Sequence, residues 1–192
     1  TIMFISNKGQ LYWLKVYRVP EGSKAAKGKA VVNLIDISAD EKIKATITTT
    51  DFDESKSLVF ITKKGIVKRT NLKEFSNVRN VGIRAITLDD DDELVTAHIV
   101  DAQIKELFVI THKGMCIRFD KNDVREMGRA ARGVTAIKFK EKDDLVVGST
   151  ALLSETQEIL SVSEKGIGKR TEANEYRLQS RAGKGVIAMK LT

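Results

Sequence analysis

Leu58-Val59-Phe60-Ile61-Thr62-Lys63-Lys64-Gly65 decides the fold, because the chain repeats it. An apolar run, a hydroxyl residue and Lys-Gly return in Ile2-Met3-Phe4-Ile5-Ser6-Asn7-Lys8-Gly9 and Leu107-Phe108-Val109-Ile110-Thr111-His112-Lys113-Gly114. Glu158-Ile159-Leu160-Ser161-Val162-Ser163-Glu164-Lys165-Gly166 is the fourth copy, and the intervals are 56, 49 and 52 residues. A second glycine follows each turn glycine by 17 to 19 residues, at Gly28, Gly82, Gly133 and Gly185. A repeat of this length is one supersecondary unit that cannot bury its own apolar face, so the copies must pack side by side.

Within one copy the apolar run reads as a strand, Ser57 to Thr62 or Glu106 to Thr111. Lys-Gly reads as a hairpin turn in which Gly supplies the positive φ. A second strand follows, such as Ile66 to Thr70 or Met115 to Phe119. A longer polar segment comes next (Asn71 to Asn80, Lys121 to Ala131, Glu172 to Ala182). A third strand follows the second glycine (Ile83 to Leu88, Val134 to Phe139, Val186 to Leu191). An acidic turn (Asp40-Glu41, Asp89 to Glu93, Glu141 to Asp144) then leads to a fourth strand, Leu94 to Ile99 or Leu145 to Ser149. Four short strands per repeat, one proline and no useful helical period predict an all-β, propeller-like array of four-stranded blades. The units are about 1–56, 57–105, 106–156 and 157–192. The last ends soon after Gly185, so the expectation is about three full blades and part of a fourth.

At 192 residues and 42% hydrophobic content the chain can bury a sizeable core. No apolar stretch reaches the roughly 20 residues of a membrane helix, and a secretory leader pattern is absent from the first residues. The single cysteine, Cys116, has no partner for an internal disulfide and occupies a strand position, which suits a reducing compartment. Thr1 in place of an initiating Met leads to the expectation that the chain is a piece of something longer.

No catalytic or metal-binding constellation emerges. His98 and His112 stand at non-equivalent places with no ligand at metal spacing, and the acidic turns lack a cation-loop pattern, so they read as solvated turns. No glycine cluster opens a helix as a phosphate cradle, and no Ser or Thr has a histidine base at a recognisable spacing. No cofactor is expected.

The cations recur instead. Net charge is +7, and the windows 9–28, 65–82, 114–133 and 166–185 hold 18 of the 33 Lys and Arg but only 7 of the 26 Asp and Glu. Candidate contacts are Lys15, Lys27, Lys68, Arg69, Arg79, Arg118, Arg125, Arg129, Arg132, Lys169, Arg170, Arg177, Arg181 and Lys184. Repeated once per blade, such residues line one level of a rim, and a basic rim can follow a phosphate backbone. Aromatics are sparse, at 6%, and those present mostly read as strand residues, which argues against single-strand binding by base stacking. With no recognition helix, the expected ligand is duplex, held without sequence readout.

Thr62-Lys63-Lys64-Gly65-Ile66-Val67-Lys68-Arg69-Thr70, Gly114 to Phe119, Val124 to Arg129 and Gly166 to Thr171 resemble the C-terminal domain of the DNA gyrase A subunit over essentially the whole chain. Lys15 to Pro20, Lys27-Gly28 and Val32 to Leu34 resemble that family's second blade. The fold this implies is a β-pinwheel, a disc of usually six blades. The family's Gln-Arg-Arg-Gly-Gly-Lys-Gly box is resembled at five of seven places by Gln179-Ser180-Arg181-Ala182-Gly183-Lys184-Gly185, with departures at Ser180 and Ala182. Its late position suggests a degenerate copy, with the full box upstream.

The resemblance implies that the rim wraps duplex DNA and supports ATP-dependent negative supercoiling by the holoenzyme of two A and two B subunits. The B subunit would hydrolyse ATP. The cleaving tyrosine would belong to the N-terminal part of the A subunit, so Tyr12, Tyr17 and Tyr176 are not nucleophiles. Partners would then be duplex DNA, the B subunit, plus the rest of the A subunit, in the nucleoid-associated cytoplasm, with no membrane. Two alternatives stand beside this: the C-terminal domain of the topoisomerase IV A subunit, or else a propeller scaffold for acidic proteins.

Overall fold

The computed structural model describes residues 1–79 and 81–191; Asn80, the end of one polar segment, and Thr192 lie outside the described residues. Each Lys-Gly is the tight turn of an antiparallel hairpin. The four hairpins are β1 (Ile2–Ser6) with β2 (Gln10–Leu14), β4 (Ser57–Thr62) with β5 (Ile66–Asn71), β8 (Glu106–Thr111) with β9 (Met115–Asp120), and β12 (Glu158–Val162) with β13 (Gly168–Glu172). All four turn glycines have positive φ, between 73° and 79°.

The third strands do not stay in their own repeats. The sheets run β3-β1-β2-β6, β7-β4-β5-β10 and β11-β8-β9-β14, where β3 is Ile43–Thr48, β6 Ile83–Arg84, β7 Leu94–Val100, β10 Val134–Thr135, β11 Val146–Leu152 and β14 Val186–Ile187. Each blade therefore takes its fourth strand from its own repeat and its third strand from the next repeat. The expected unit, four strands within one repeat, is corrected accordingly. The exchanged strands are also shorter than expected, two paired residues each. Beyond them the chain is held differently: the amides of Ala85, Ala136 and Ala188 each donate, at 2.8 Å, to the carbonyl of the preceding blade's turn glycine, Gly9, Gly65 and Gly114.

The cores lie between blades, which explains why the first strands are apolar on both faces. Leu58 and Phe60 pack toward the first blade with Met3, Ile5, Leu72 and Phe75. Val59 and Ile61, on the other face of the same strand, pack toward the third with Val109, Ile117 and Val124. A strand buried on both sides reads as a continuous apolar run rather than an alternation. The third interface gathers Phe108, Cys116, Ile159 and Tyr176, with the Phe108 and Tyr176 rings 5.0 Å apart. Cys116 is buried, as expected, and burial pushes its thiol up to about 12.

The fourth strands β3, β7 and β11 contact one another in series. Neighbouring blades come closest near the axis of a disc, so these strands lie inside. The exchanged strands β6, β10 and β14 lie at the opposite sheet edge, outside.

The acidic turns are not simply solvated. Asp92 and Asp144 are buried, and each caps a hairpin turn: Asp92 Oδ1 accepts from the Lys64 amide at 2.9 Å, and Asp144 Oδ1 from the Lys113 amide at 3.0 Å. Around them the turn lysines pair with exposed carboxylates, Lys8 with Asp40, Lys64 with Asp91 and Lys113 with Asp143. In the first repeat the segment after Gly28 forms a 3-10 turn, Val31–Asn33, in place of a strand, and among the described residues no blade pairs with it. In the fourth, β12 and β13 form a two-stranded sheet.

Candidate nucleic-acid interface

In the second, third and fourth repeats the basic segment is rooted before it reaches the rim. The second strand of a repeat runs into a 3-10 turn (Leu72–Phe75, Lys121–Asp123, Ala173–Glu175), and in the first two of these an Asn71 or Asp120 side chain accepts a turn amide. Such side-chain caps satisfy amides that a short turn leaves open. Leu72 and Phe75, Val124, and Ala173 and Tyr176 anchor these segments in the interblade cores.

The polar segment then crosses onto the preceding blade. Met127 donates its amide to Arg69 O at 2.8 Å, and Gln179 to Arg118 O at 2.9 Å. Successive loops also meet edge to edge along the outside. Thr87 of the second repeat donates through Oγ1 to Ala130 O of the third at 2.8 Å, and Lys138 of the third donates its amide to Gly183 O of the fourth at 2.9 Å. The box-like loop, Gln179 to Gly185, is one of these. Its Ala182 is the one non-glycine with positive φ among the described residues, 63°, where the resembled box has glycine.

The candidate cations divide into three groups. Lys27, Arg79, Arg125, Lys169, Arg177 and Lys184 are exposed, with no side-chain partner among the described residues. Lys15, Arg129, Arg132, Arg170 and Arg181 are tethered. Lys15 donates to Thr1 Oγ1 at 3.2 Å, Arg129 stands 3.9 Å from Glu74, Arg132 pairs with Asp89, and Arg170 lies 3.1 Å from Glu158. Arg181 donates to Asp123 O at 2.9 Å and Thr135 O at 3.2 Å.

The remaining three face inward, contrary to expectation. Lys68 has 0% exposure, and its Nζ donates to Ala85 O at 2.6 Å and to Arg129 O, with the Phe60 ring nearby. Burial, with help from the Arg129 charge, lowers its pKa to about 7. Arg118 is 4% exposed, paired with Glu106 through two nitrogens and bonded to Ala173 O at 2.7 Å and Tyr176 O at 3.0 Å. Its pKa is raised by that Glu106 pairing. Half-buried Arg69 reaches Lys121 O and Asn122 Oδ1, both at 3.4 Å. The next repeat covers these three positions, and their donors are taken up by backbone carbonyls, by the Glu106 carboxylate and by the Asn122 side chain.

Sequence reasoning passed over Arg84, Lys138 and Lys190, which are exposed. Arg84 lies on the outer strand β6, and Lys138 stands beside the box-like loop through its amide bond to Gly183. Lys138 and Lys190 both follow the second glycine by five residues, a regularity visible in the sequence but C-terminal to the basic segments.

A family model described as DNA gyrase C-terminal domain, beta-propeller, matches residues 1–50, 56–101, 105–149 and 157–192. The DNA gyrase A subunit of Campylobacter fetus is 58% identical over all of this chain, and that of Helicobacter pylori strain 26695 is 56% identical. The chain spans 26% and 23% of the length of these two relatives. A solved topoisomerase IV C-terminal domain superposes with a TM-score of 0.87 at 29% identity, covering 97% of this chain and 57% of that one. A solved DNA gyrase A C-terminal domain superposes with a TM-score of 0.80 at 27% identity, covering 96% and 58%.

Proposed function

The chain belongs to the DNA gyrase C-terminal domain family, and from that premise we propose that its outer rim binds and bends duplex DNA without reading sequence. The observation that carries the reading is the interlocked series of polar loops along the outer edge, bearing Arg79, Arg125, Arg177 and Lys184, exposed and without a side-chain partner among the described residues. Meanwhile Lys8, Lys64 and Lys113 are paired to the acidic turns. The turn lysines are thus neutralised, whereas the cations of the loops keep their charge for a ligand. Duplex laid along them would release counterions at each contact. Bending 20–30 base pairs by 40–90° costs on the order of 1–6 kcal/mol, which contacts from successive loops offset.

Within the whole protein the rim would wrap DNA for ATP-dependent negative supercoiling, beside the rest of the A subunit, with the B subunit, in the cytoplasmic nucleoid. Strand cleavage and ATP hydrolysis would lie outside this chain. The topoisomerase IV domain is the second reading, favoured by its higher TM-score. The identity to gyrase A subunits argues for the first.

The test is duplex affinity measured across salt concentrations for charge reversals at Arg125, Arg177 and Lys184. Each is expected to weaken binding and to flatten the log–log salt slope by roughly 0.9 per lost phosphate contact. Unchanged slopes would remove these residues from the interface. Tighter binding to an acidic polypeptide than to duplex at matched salt would favour the scaffold alternative.

A further inference from the structure

Trp13, Arg69 and Arg118 occupy one register position, four residues after Gly9, Gly65 and Gly114. Each sends a side-chain N–H across a blade joint to the segment that begins the next basic loop. Trp13 Nε1 donates to Phe75 O at 3.1 Å, Arg69 Nη1 to Lys121 O at 3.4 Å, and Arg118 Nη1 to Ala173 O at 2.7 Å and Tyr176 O at 3.0 Å.

The two arginine joints differ in their carboxylate. Glu106, eight residues before Gly114, holds Arg118 through Nε and Nη2, a forked arrangement that fixes the guanidinium plane. The matching place before Gly65 is Ser57. Its hydroxyl donates across the joint to Glu126 of the third repeat, and the matching residue of the fourth repeat is Leu178. The acid has thus moved to the far side of the joint. Arg69 makes no ion pair among the described residues, and its buried Nε has no partner. Bonds at 3.4 Å lie beyond the usual N–H···O range, and a buried unpaired donor is costly, so the Arg69 guanidinium itself does little to fix the angle of this joint, which Ser57 with Glu126, Lys68 with Arg129 O and Arg132 with Asp89 also span.

Resting on the rim reading, we propose that the residue four places after Gly9, Gly65 and Gly114 is a positioning residue that sets the angle between successive basic loops. In this proposal the Arg69 joint, between the second and third blades, is the compliant one at which the rim adjusts to bent duplex. Arg118 clamps its joint; Arg69 leaves its own adjustable.

Amide exchange at Met127 and Gln179 reads the two joints, since these amides donate to Arg69 O and Arg118 O. Arg118→Met is expected to speed exchange at Gln179 by at least about 100-fold, and Arg69→Met to speed Met127 by less than about fivefold. Equal acceleration at the two sites overturns the proposal. A second arm needs neither variant: Ser57→Glu with Glu126→Leu rebuilds the Arg118 arrangement around Arg69 at unchanged net charge.

That double substitution is expected to slow exchange at Met127 by at least about tenfold. It should also lower energy transfer between the labelled ends of a bound duplex of roughly 30 base pairs, while affinity for a duplex of about 10 base pairs is unchanged. Unchanged exchange, or slowed exchange with an unchanged bend, overturns the proposal. Failure of the unaltered chain to bind any duplex would instead overturn the rim reading, and the exchange arms would still decide the joint.

Discussion

Arg118 and Arg170 share a register position and carry opposite consequences. Arg118 and Glu106 are both largely buried, whereas the Arg170 and Glu158 side chains are 70% and 46% exposed. Removing one member of a buried pair leaves the other uncompensated, so Arg118→Ala is expected to cost about 3–5 kcal/mol, against less than about 1 kcal/mol for Arg170→Ala. Urea denaturation of the two variants checks the contrast. Lys68 supplies a pH dependence. Its folded pKa of about 7 lies below the unfolded value of 10.5, so below pH 7 both states are charged and the burial penalty is felt in full. At this residue the unfolded state binds more protons between pH 7 and 10.5, so its contribution to stability rises with pH by up to about 1.4 kcal/mol per unit, until above about pH 9 the Cys116 thiol, which ionises first in the unfolded state, acts the other way. Lys68→Met should abolish this rise, and unfolding midpoints measured at pH 7 and about pH 8.5 would expose a slope that survives the substitution.

At the scale of elements, the exchanged strand is the joint of the architecture, and the turn glycines are built around it. A Cβ on Gly114 (φ +75°) would stand 2.3 Å from Met189 O, which the next repeat lays over the turn, whereas a Cβ on Gly166 (φ +79°) would meet nothing within 4 Å. Gly166→Ala is therefore expected to cost only the backbone penalty of about 1–2 kcal/mol. Gly114→Ala should cost more, and should raise amide exchange at Ala188 and Met189, which donate to Gly114 O. Equal costs would mean that the strand does not close on the turn in solution. The hairpins were legible in the sequence because a glycine turn between apolar runs is a local signal. The exchange was not, because Ile83, Val134 and Val186 present the same pattern whichever blade they join. The 3-10 turns were equally hidden, since Leu72 and Phe75 read as apolar residues in a polar stretch until a neighbouring blade is there to receive them.

For the whole molecule the deciding property is where charge remains after the blades have assembled. Lys138 lies beside the box-like loop and Lys113 is paired with Asp143, although both are lysines close to a repeat glycine. Lys138→Ala is expected to reduce the salt slope of duplex binding by roughly 0.9, and Lys113→Ala to leave it nearly unchanged. Titrations against one duplex at several salt concentrations would separate them, and equal effects would place binding on the turn face instead of the rim. The sequence by itself determined the repeat, its period, the hairpin at each Lys-Gly and the gathering of cations in one part of each unit, because all of these are local or periodic. Only the tertiary structure decided which repeat completes each blade, and hence that Lys68, Arg69 and Arg118 turn inward while Arg84 and Lys138 face water. The physical reason is that units sharing one strand pattern allow pairing within a repeat or between repeats, and burial by a neighbour depends on that choice.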